Sequence, residues 1–303
     1  MDESFDPDTE PAEQLMLTTH EASERLQNRG LQPKPLCAED ASRLARDRNL
    51  LSTFRQTRLE MDAQRNWDLF YKRNSTHFFK DRHWTRREFA ELRASEQVIG
   101  QTLLVLEAGC GVGNCLFPLL EEEEDVFVYA CDFSPRAISF VQENPLYDAR
   151  RCFAFQCDLT SEALTTNIPM ATLHVATLIF VLSSVHPEKM LHVLHNIFQV
   201  LHPDGKLLFR DYGVYDHAMM RFKPGRKLSE NFYVRQDGTR AFFFSREHVA
   251  QLFNDAGFLE VNNEYVFRKT VNLKEGLEAD RVFVQGSYRK PVAGVVTRLK
   301  APK

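Results

Sequence analysis

The chain has 303 residues, 43% hydrophobic and 26% charged, with a mean hydropathy of -0.37, enough to bury one full α/β core with modest additions, so a single principal domain is expected. No apolar run approaches the roughly 20 residues of a membrane span, and the first thirty positions are acidic where a secretory or mitochondrial signal is basic. Six cysteines with no C-x-x-C pair point to reduced thiols in the cytoplasm, or also the nucleus, and away from a zinc site or other metal.

The formal net charge of -4 averages over segments of opposite sign, and local balance decides partners. Residues 1–30 carry eight acids against two bases, whereas residues 43–93 carry thirteen bases against seven acids. Residues 206–240 hold eight bases against four acids, and residues 289–303 five bases and no acid. Three basic segments converging on one face suit a polyanion; each taken alone also reads as an ordinary solvated face.

In chain order, residues 1–38 are polar and broken by Pro7, Pro11, Pro33 and Pro35, which predicts an acidic tail without packed structure. Residues 39–95 turn helical and aromatic, with Leu50, Phe54, Leu59, Trp67, Phe70, Tyr71, Phe78, Phe79, Trp84 and Phe89 available for a buried stripe. This predicts a helical N-terminal arm. From 96 to 288 the period changes. Short apolar runs at 102–107, 126–131, 152–156, 173–182 and 206–210 alternate with helical stretches at 135–144 and 187–201. In the last of these, Met190, Leu191, Leu194, Ile197, Phe198 and Leu201 fall at three-and-four spacing and make one apolar face. The alternation predicts a doubly wound α/β domain on a mostly parallel, seven-stranded sheet. Residues 212–244, dense in Arg, Lys and aromatics, read as an insertion after the fifth strand; a helix at 245–256 and strands near 261–267 and 281–285 complete the sheet, before a basic tail at 289–303.

Directly after the first strand stands Glu107-Ala108-Gly109-Cys110-Gly111-Val112-Gly113-Asn114. Gly109, Gly111 and Gly113 fall where a ligand approaches backbone closely, and Asn114 takes the place where a dinucleotide fingerprint has its third glycine. A tight structural turn is the other reading of this loop. The second strand ends in Asp132, which suits the ribose hydroxyls of NAD or S-adenosylmethionine, and the third in Asp158, which suits an adenine amino group beside Leu159 and Ile179. Each aspartate alone is as readily a helix cap or turn residue. Redox Rossmann enzymes rarely show the second acid, and no Tyr-x-x-x-Lys pair, hydride-relay histidine or P-loop lysine accompanies the glycines. Methyl transfer from S-adenosylmethionine therefore fits best, since an activated sulfonium methyl asks the protein chiefly to align a nucleophile and exclude water.

Several segments then resemble a known family: Trp67-Asp68-Leu69-Phe70-Tyr71-Lys72-Arg73, Phe78-Phe79-Lys80-Asp81-Arg82-His83-Trp84, the Glu107 to Cys115 loop, Cys131-Asp132-Phe133-Ser134, Ile179-Phe180-Val181-Leu182-Ser183, Phe209-Arg210-Asp211-Tyr212-Gly213, and Asn231-Phe232-Tyr233-Val234-Arg235-Gln236-Asp237-Gly238-Thr239-Arg240. From about Leu50 to about Gln285 the chain is similar to the eukaryotic tRNA N3-methylcytidine methyltransferases. The resemblance implies a class I, Rossmann-like methyltransferase acting at N3 of cytidine 32 in the anticodon loop, mainly of serine tRNA, with seryl-tRNA synthetase as a partner. It also implies that Trp67 and Tyr71 lid a cofactor held by Gly109, Asp132, Asp158, Leu159 and Ile179. Plain core packing is the other reading of Trp67 and Tyr71.

Cytosine N3 keeps an in-plane lone pair and its methylation yields a cation, so no strong general base is needed. Asp211, next to Arg210 at the end of the fifth strand, is the candidate for steadying that charge; a salt bridge between the two, or a turn role, is the alternative. The target base must be unpaired and turned into a pocket, where Phe180, Phe209 or Tyr212 offer stacking faces unless they serve the core. Arg82, His83, Arg210, Arg221, Lys223, Arg226, Lys227, Arg235 and Arg240 are the expected phosphate contacts. Two other functions stay open: a small-molecule or protein methyltransferase on the same sheet, which leaves the basic insertion unexplained, and a non-catalytic module that uses the cofactor fold to recruit a partner.

Overall fold

The structure, a computed structural model, describes residues 27–94, 100–272 and 277–292. Most of the expected acidic tail and of the basic C-terminal tail lies outside the described residues. Five strands form the parallel centre: β2 (Leu103–Ala108), β3 (Val126–Asp132), β4 (Cys152–Gln156), β5 (Leu173–Ile179) and β6 (Leu201–Tyr212). Their order is β6-β5-β2-β3-β4, every pair parallel. The chain therefore winds outward in one direction through β3 and β4 and in the other through β5 and β6, and the switch between β2 and β5 opens a crevice at the carboxyl ends of the strands.

Helices cover both faces, which is why the strands read as continuous apolar runs. On one side α5 (Leu116–Glu122) and α6 (Pro135–Glu143) bury Leu116, Phe117, Leu119, Ile138 and Val141. On the other, α7 (Pro187–Val200) and α9 (Arg246–Asp255) bury Met190, Val193, Leu194, Ile197, Val249 and Phe253. Each such side chain contributes about 1.5–3 kcal/mol relative to exposure. The α7 face is the predicted one, with Leu191 and Phe198 packed at its margin.

Beyond β6 the sheet turns antiparallel through the hairpin of β10 (Leu259–Asn272) and β11 (Leu277–Arg289), longer than the predicted strands. An eighth strand, β1 (Gln27–Gly30), corrects the expectation of seven and of a tail unstructured throughout. It lies antiparallel on the edge of β10 and pairs with Tyr265 to Arg268 of that edge. Side chains fasten it: Arg29 pairs with Glu88 and Glu264, and Gln27 donates to Glu88 at 3.2 Å. The sequence Gln-Asn-Arg-Gly has no apolar alternation, so its pattern carries no strand signal.

Four helices make up the described part of the arm: α1 (Ala38–Arg46), α2 (Thr53–Met61), α3 (Ala63–Asn74) and α4 (Trp84–Glu88). The predicted stripe is only partly buried. Phe70 and Tyr71 of α3 join Trp67, Phe78 and Phe79 in an aromatic cluster, whereas Leu50 and Phe54 stay 55% and 76% exposed. Short helices laid over a finished domain each offer one contact face, and α2 buries no residue of its own. The insertion forms α8 (His217–Met220) and a three-stranded sheet, β7 (Lys227–Ser229), β8 (Phe232–Val234) and β9 (Arg240–Phe242), joined to the arm where the Leu51 N–H donates to the Lys227 carbonyl at 2.9 Å.

Candidate active site

A cavity of about 280 Å³ occupies the crevice at the strand ends. Gly109, Asp132, Asp158 and Leu159 line it from the sheet, and Gln64, Trp67 and Tyr71 from α3. Local chemistry explains how each is placed. Gly109 has φ +71°, and a Cβ there would stand 2.5 and 2.6 Å from the Val181 methyls, so only glycine lets the loop pass beneath the cavity. Gly111, at φ +55°, donates its N–H to Asp132 Oδ2 at 3.0 Å, and Ser134 donates its own to Oδ1 at 2.9 Å. Those two bonds orient Asp132, which is 7% exposed, and leave one acceptor site on each oxygen. Ser134 caps α6 and Pro135 opens it. Asp158 is fixed by its own turn, accepting from Thr160 N–H at 2.9 Å, Thr160 Oγ1 at 2.8 Å and Ser161 Oγ at 3.0 Å.

The arm is tied to this loop by polar bonds. Gln64 donates to the Phe133 carbonyl at 2.7 Å, and Asp68 accepts from Ser134 Oγ at 3.0 Å and from Arg136. Asn114, the residue that breaks the glycine fingerprint, donates to the Phe79 carbonyl at 3.1 Å and accepts the Arg82 N–H at 2.7 Å. A third glycine would keep the carbonyl that accepts from Arg82 but lose the side-chain amide that donates to Phe79 and Asp81. The far wall is closed by Glu60 of α2, which pairs with Arg240 of β9 and, at 2.5 Å, with Lys189 of α7. Burial tends to raise the Glu60 pKa, but the hydrogen bonds from Lys189 and Arg240 outweigh it and hold the carboxyl below its ordinary value.

A second cavity of about 100 Å³ adjoins the first, and Trp67, Phe180 and Ser184 belong to both walls. Its lining is aromatic and basic: Phe79, Trp84 and Tyr212 with Arg82, Arg210 and Arg235. Phe180 and Tyr212 have ring centroids 5.2 Å apart, and the Arg82 guanidinium lies 5.2 Å from the Phe180 centroid while donating to the Ile179 carbonyl at 3.1 Å. Arg210 lies 4.3 Å from the Trp84 centroid and donates to Gln285 at 3.2 Å.

The predicted site residues divide accordingly. Trp67, Tyr71, Gly109, Asp132, Asp158 and Leu159 meet in the first cavity. Gly111 and Gly113 shape the loop without lining it, and Ile179 is 4% exposed in the core, presenting only its carbonyl to Arg82. Asp211 is a correction. It is fully buried in neither wall, accepts from the Ser183 and Tyr212 N–H groups at 2.9 Å each, and so shapes the turn after β5. Phe209 is likewise core, against Phe244 and Phe253. Arg240, expected on RNA, is 6% exposed and committed to Glu60 and the Ser184 carbonyl. Lys227 reaches the Asp47 carbonyl and Glu230. His83 and Lys223 are exposed, and Arg221 and Arg226 half-buried. Sequence reasoning missed Glu60, Gln64, Ser184 and Lys189, which carry no local motif and meet only through the fold. Among the described residues no cluster of potential metal ligands occurs and no helix is long and apolar enough to cross a membrane.

Burial starves three carboxyls of hydration and raises Asp132 and Asp211 to about 6 and Glu107 to about 8. In the unfolded chain these groups ionise near about 4. The folded state thus binds more protons between those values, so the stability they contribute is present at low pH and lost as pH rises through about 6 and then about 8. The ligand-free protein is expected to melt at a lower temperature at pH 8.5 than at pH 5.5 by differential scanning fluorimetry; an equal or higher melting point at pH 8.5 contradicts this reading.

The cavity fits S-adenosylmethionine: an oriented carboxylate with two spare acceptor sites for a diol, a second carboxylate beside an apolar side chain for adenine, and Trp67 above. Comparison with known proteins agrees. A methyltransferase-domain family profile matches residues 82–261. The mouse tRNA N(3)-cytidine methyltransferase METTL6 is 62% identical over 265 residues, covering 88% of this chain and 94% of that protein. The zebrafish tRNA N(3)-cytidine methyltransferase METTL2 is 40% identical, covering 79% and 77%. In fold, a putative methyltransferase solved in complex with the Haloferax volcanii Trm112 activator is similar with a TM-score of 0.53 at 13% identity, over 76% of this chain and 98% of that one. The chain carries a methyltransferase domain and belongs to the tRNA N(3)-cytidine methyltransferase family.

Proposed function

We propose that this protein methylates N3 of cytidine in tRNA, with S-adenosylmethionine as methyl donor, and that its target is cytidine 32 of the anticodon loop, mainly in serine tRNA. The observation that carries the reading is the pair of adjoining cavities, one suited to adenosine and one aromatic and basic, sharing Trp67, Phe180 and Ser184, in a chain 62% identical to a relative named for this activity.

S-adenosylmethionine supplies a methyl group already activated on a sulfonium. Asp132 and Asp158 hold the adenosine, Trp67 and Tyr71 cover it, and the Glu60–Arg240–Lys189 cluster forms one wall of the cavity. The aromatic rings of Phe180 and Tyr212 receive an unpaired base turned out of its loop, and alignment with water excluded supplies most of the rate. Seryl-tRNA synthetase, bound to the same tRNA, is the proposed partner that raises activity on serine isoacceptors. All six cysteines are free and five are buried, which suits a reducing compartment, the cytoplasm or the nucleus.

The test is nucleoside mass spectrometry of a tRNA pool after incubation with protein and S-adenosylmethionine, with and without purified synthetase. We expect 3-methylcytidine, enriched in serine tRNA when synthetase is present. No 3-methylcytidine in any tRNA removes the proposal. Exposed Lys80, His83 and Lys223, together with Arg73, provide cations for phosphates. If about four phosphates are met, affinity for tRNA falls roughly 50-fold between about 50 and 200 mM salt. Salt-insensitive binding, with activity on a metabolite extract, favours the small-molecule alternative.

A further inference from the structure

The wall between the cavities accounts for stacking but leaves open what distinguishes cytosine from other bases. We propose that Asp237 is the residue that reads cytosine in the second cavity, its carboxylate accepting from the exocyclic N4 amino group and stabilising the positive charge that methylation places on the base. This rests on the function proposed above.

Asp237 stands at the tip of the β8–β9 hairpin, in the lining of the second cavity. The hairpin is closed by Arg235 N–H to the Thr239 carbonyl at 2.8 Å, with Gly238 at φ +87°. A Cβ at Gly238 would stand 2.7 Å from the Asn66 amide, which instead donates to the Gly238 carbonyl at 3.1 Å, so α3 of the arm pins the tip in place. One carboxylate oxygen, Oδ1, is held by Thr239 N–H at 2.9 Å and Thr239 Oγ1 at 2.7 Å. The other, Oδ2, faces Arg73 at 3.4 Å, a pair whose arginine is 57% exposed against 19% for the aspartate. The carboxylate is thus oriented before any base arrives, and Oδ2, with Arg73 as its partner, keeps acceptor capacity.

The chemistry needs such a group there. The N3 lone pair forms the new N–C bond, the S–C bond breaks and its electron pair stays on sulfur, and no proton leaves. The positive charge moves from sulfur to the base, where it is shared between N3 and the N4 amino group. A fixed carboxylate beside N4 attracts that charge more strongly in the transition state than in the neutral base, the differential binding that raises rate. The same carboxylate repels the O4 carbonyl of uracil, which offers an acceptor where cytosine offers a donor. Asp211, the residue suggested by sequence, is fully buried and lines neither cavity, so its carboxylate does not reach the base.

The experiment compares wild type with Asp237→Asn on serine tRNA transcripts carrying cytidine or uridine at the target position. Asparagine keeps the shape and loses the charge. We expect kcat on the cytidine transcript to fall roughly 100-fold, in line with loss of one transition-state charge contact, with affinity for S-adenosylhomocysteine unchanged within twofold. The uridine transcript is expected to bind the variant more tightly than it binds wild type, a gain that lost structure does not produce. Thr239→Val, which removes one of the two bonds that hold the carboxylate and keeps the backbone N–H bond, is expected to cost about tenfold in kcat. Wild-type kcat in Asp237→Asn, or unaltered discrimination against uridine, overturns the inference while leaving the function intact. Parallel loss of cofactor binding also overturns it, and assigns Asp237 to holding the arm through Arg73. Absence of 3-methylcytidine with wild type is failure of the function itself.

Discussion

Asp132→Ala is expected to weaken binding of S-adenosylmethionine about 1,000-fold while the protein remains folded. Two hydrogen bonds from ribose hydroxyls to a charged acceptor contribute about 1.5–3 kcal/mol each, and each 1.4 kcal/mol is about tenfold in affinity. The variant also leaves the Gly111 and Ser134 N–H groups without their partner, so the loop loses its shape as well as its acceptor. Asp132→Asn separates the two effects. It keeps an acceptor toward one N–H and removes the charge, so its loss is expected to be smaller, roughly 30-fold. The pH dependence follows from the same group: burial raises Asp132 to about 6, and a neutral carboxyl gives up half its acceptor capacity to its own proton. Cofactor affinity is therefore expected to rise with pH through about 6, opposite in sign to the stability of the ligand-free protein. Calorimetric titration of the variants and across pH checks both. An Asp132→Ala protein that binds like wild type means that the adenosine lies elsewhere.

Gly109→Ala is expected to cost at least about 100-fold in cofactor affinity, through geometry alone. At φ +71° an alanine sits in the left-handed region, which costs about 1–2 kcal/mol. Its Cβ would meet both Val181 methyls at 2.5 and 2.6 Å, an overpacking penalty of about 1–3 kcal/mol. Val181 lines the cofactor cavity, so the side chain that must yield moves into the space the cofactor needs. The double variant Gly109→Ala, Val181→Ala removes the clash and keeps the strained backbone. It is expected to recover about tenfold of the lost affinity, since the two substitutions share a contact and are not additive. Full additivity in titrations of the four proteins rules out the collision.

The fold was largely legible because period and punctuation are local. The continuous apolar runs marked strands covered on both faces, and the helices predicted from Pro135 and Pro187 begin at those residues. The glycines and the two acids found their places because each lies at a strand end, a position that sequence order alone defines. What failed was non-local. β1 is a strand because β10 has an open edge, not because Gln27–Gly30 prefers to be one. Arg240 looked like a phosphate contact until Glu60, distant in sequence, appeared beside it. Asp211 ended a strand as Asp132 does, yet the turn after β5 folds over it and leaves it fully buried, outside both cavity walls. Asp237 was visible within the family's segment, but its place at a cavity wall depends on an arm helix holding a hairpin tip.

The central claim is that one crevice at the strand ends grips the adenosine of the methyl donor and faces a base pocket across Trp67 and Phe180. Titration of the pure, folded protein with S-adenosylhomocysteine, repeated from about pH 8 down to about pH 5 across the Asp132 value of about 6, tests it most directly. The expected result is one site per chain, with affinity falling steadily below pH 6 and lost in Asp132→Ala. A flat titration from folded protein, or binding indifferent to Asp132, contradicts it.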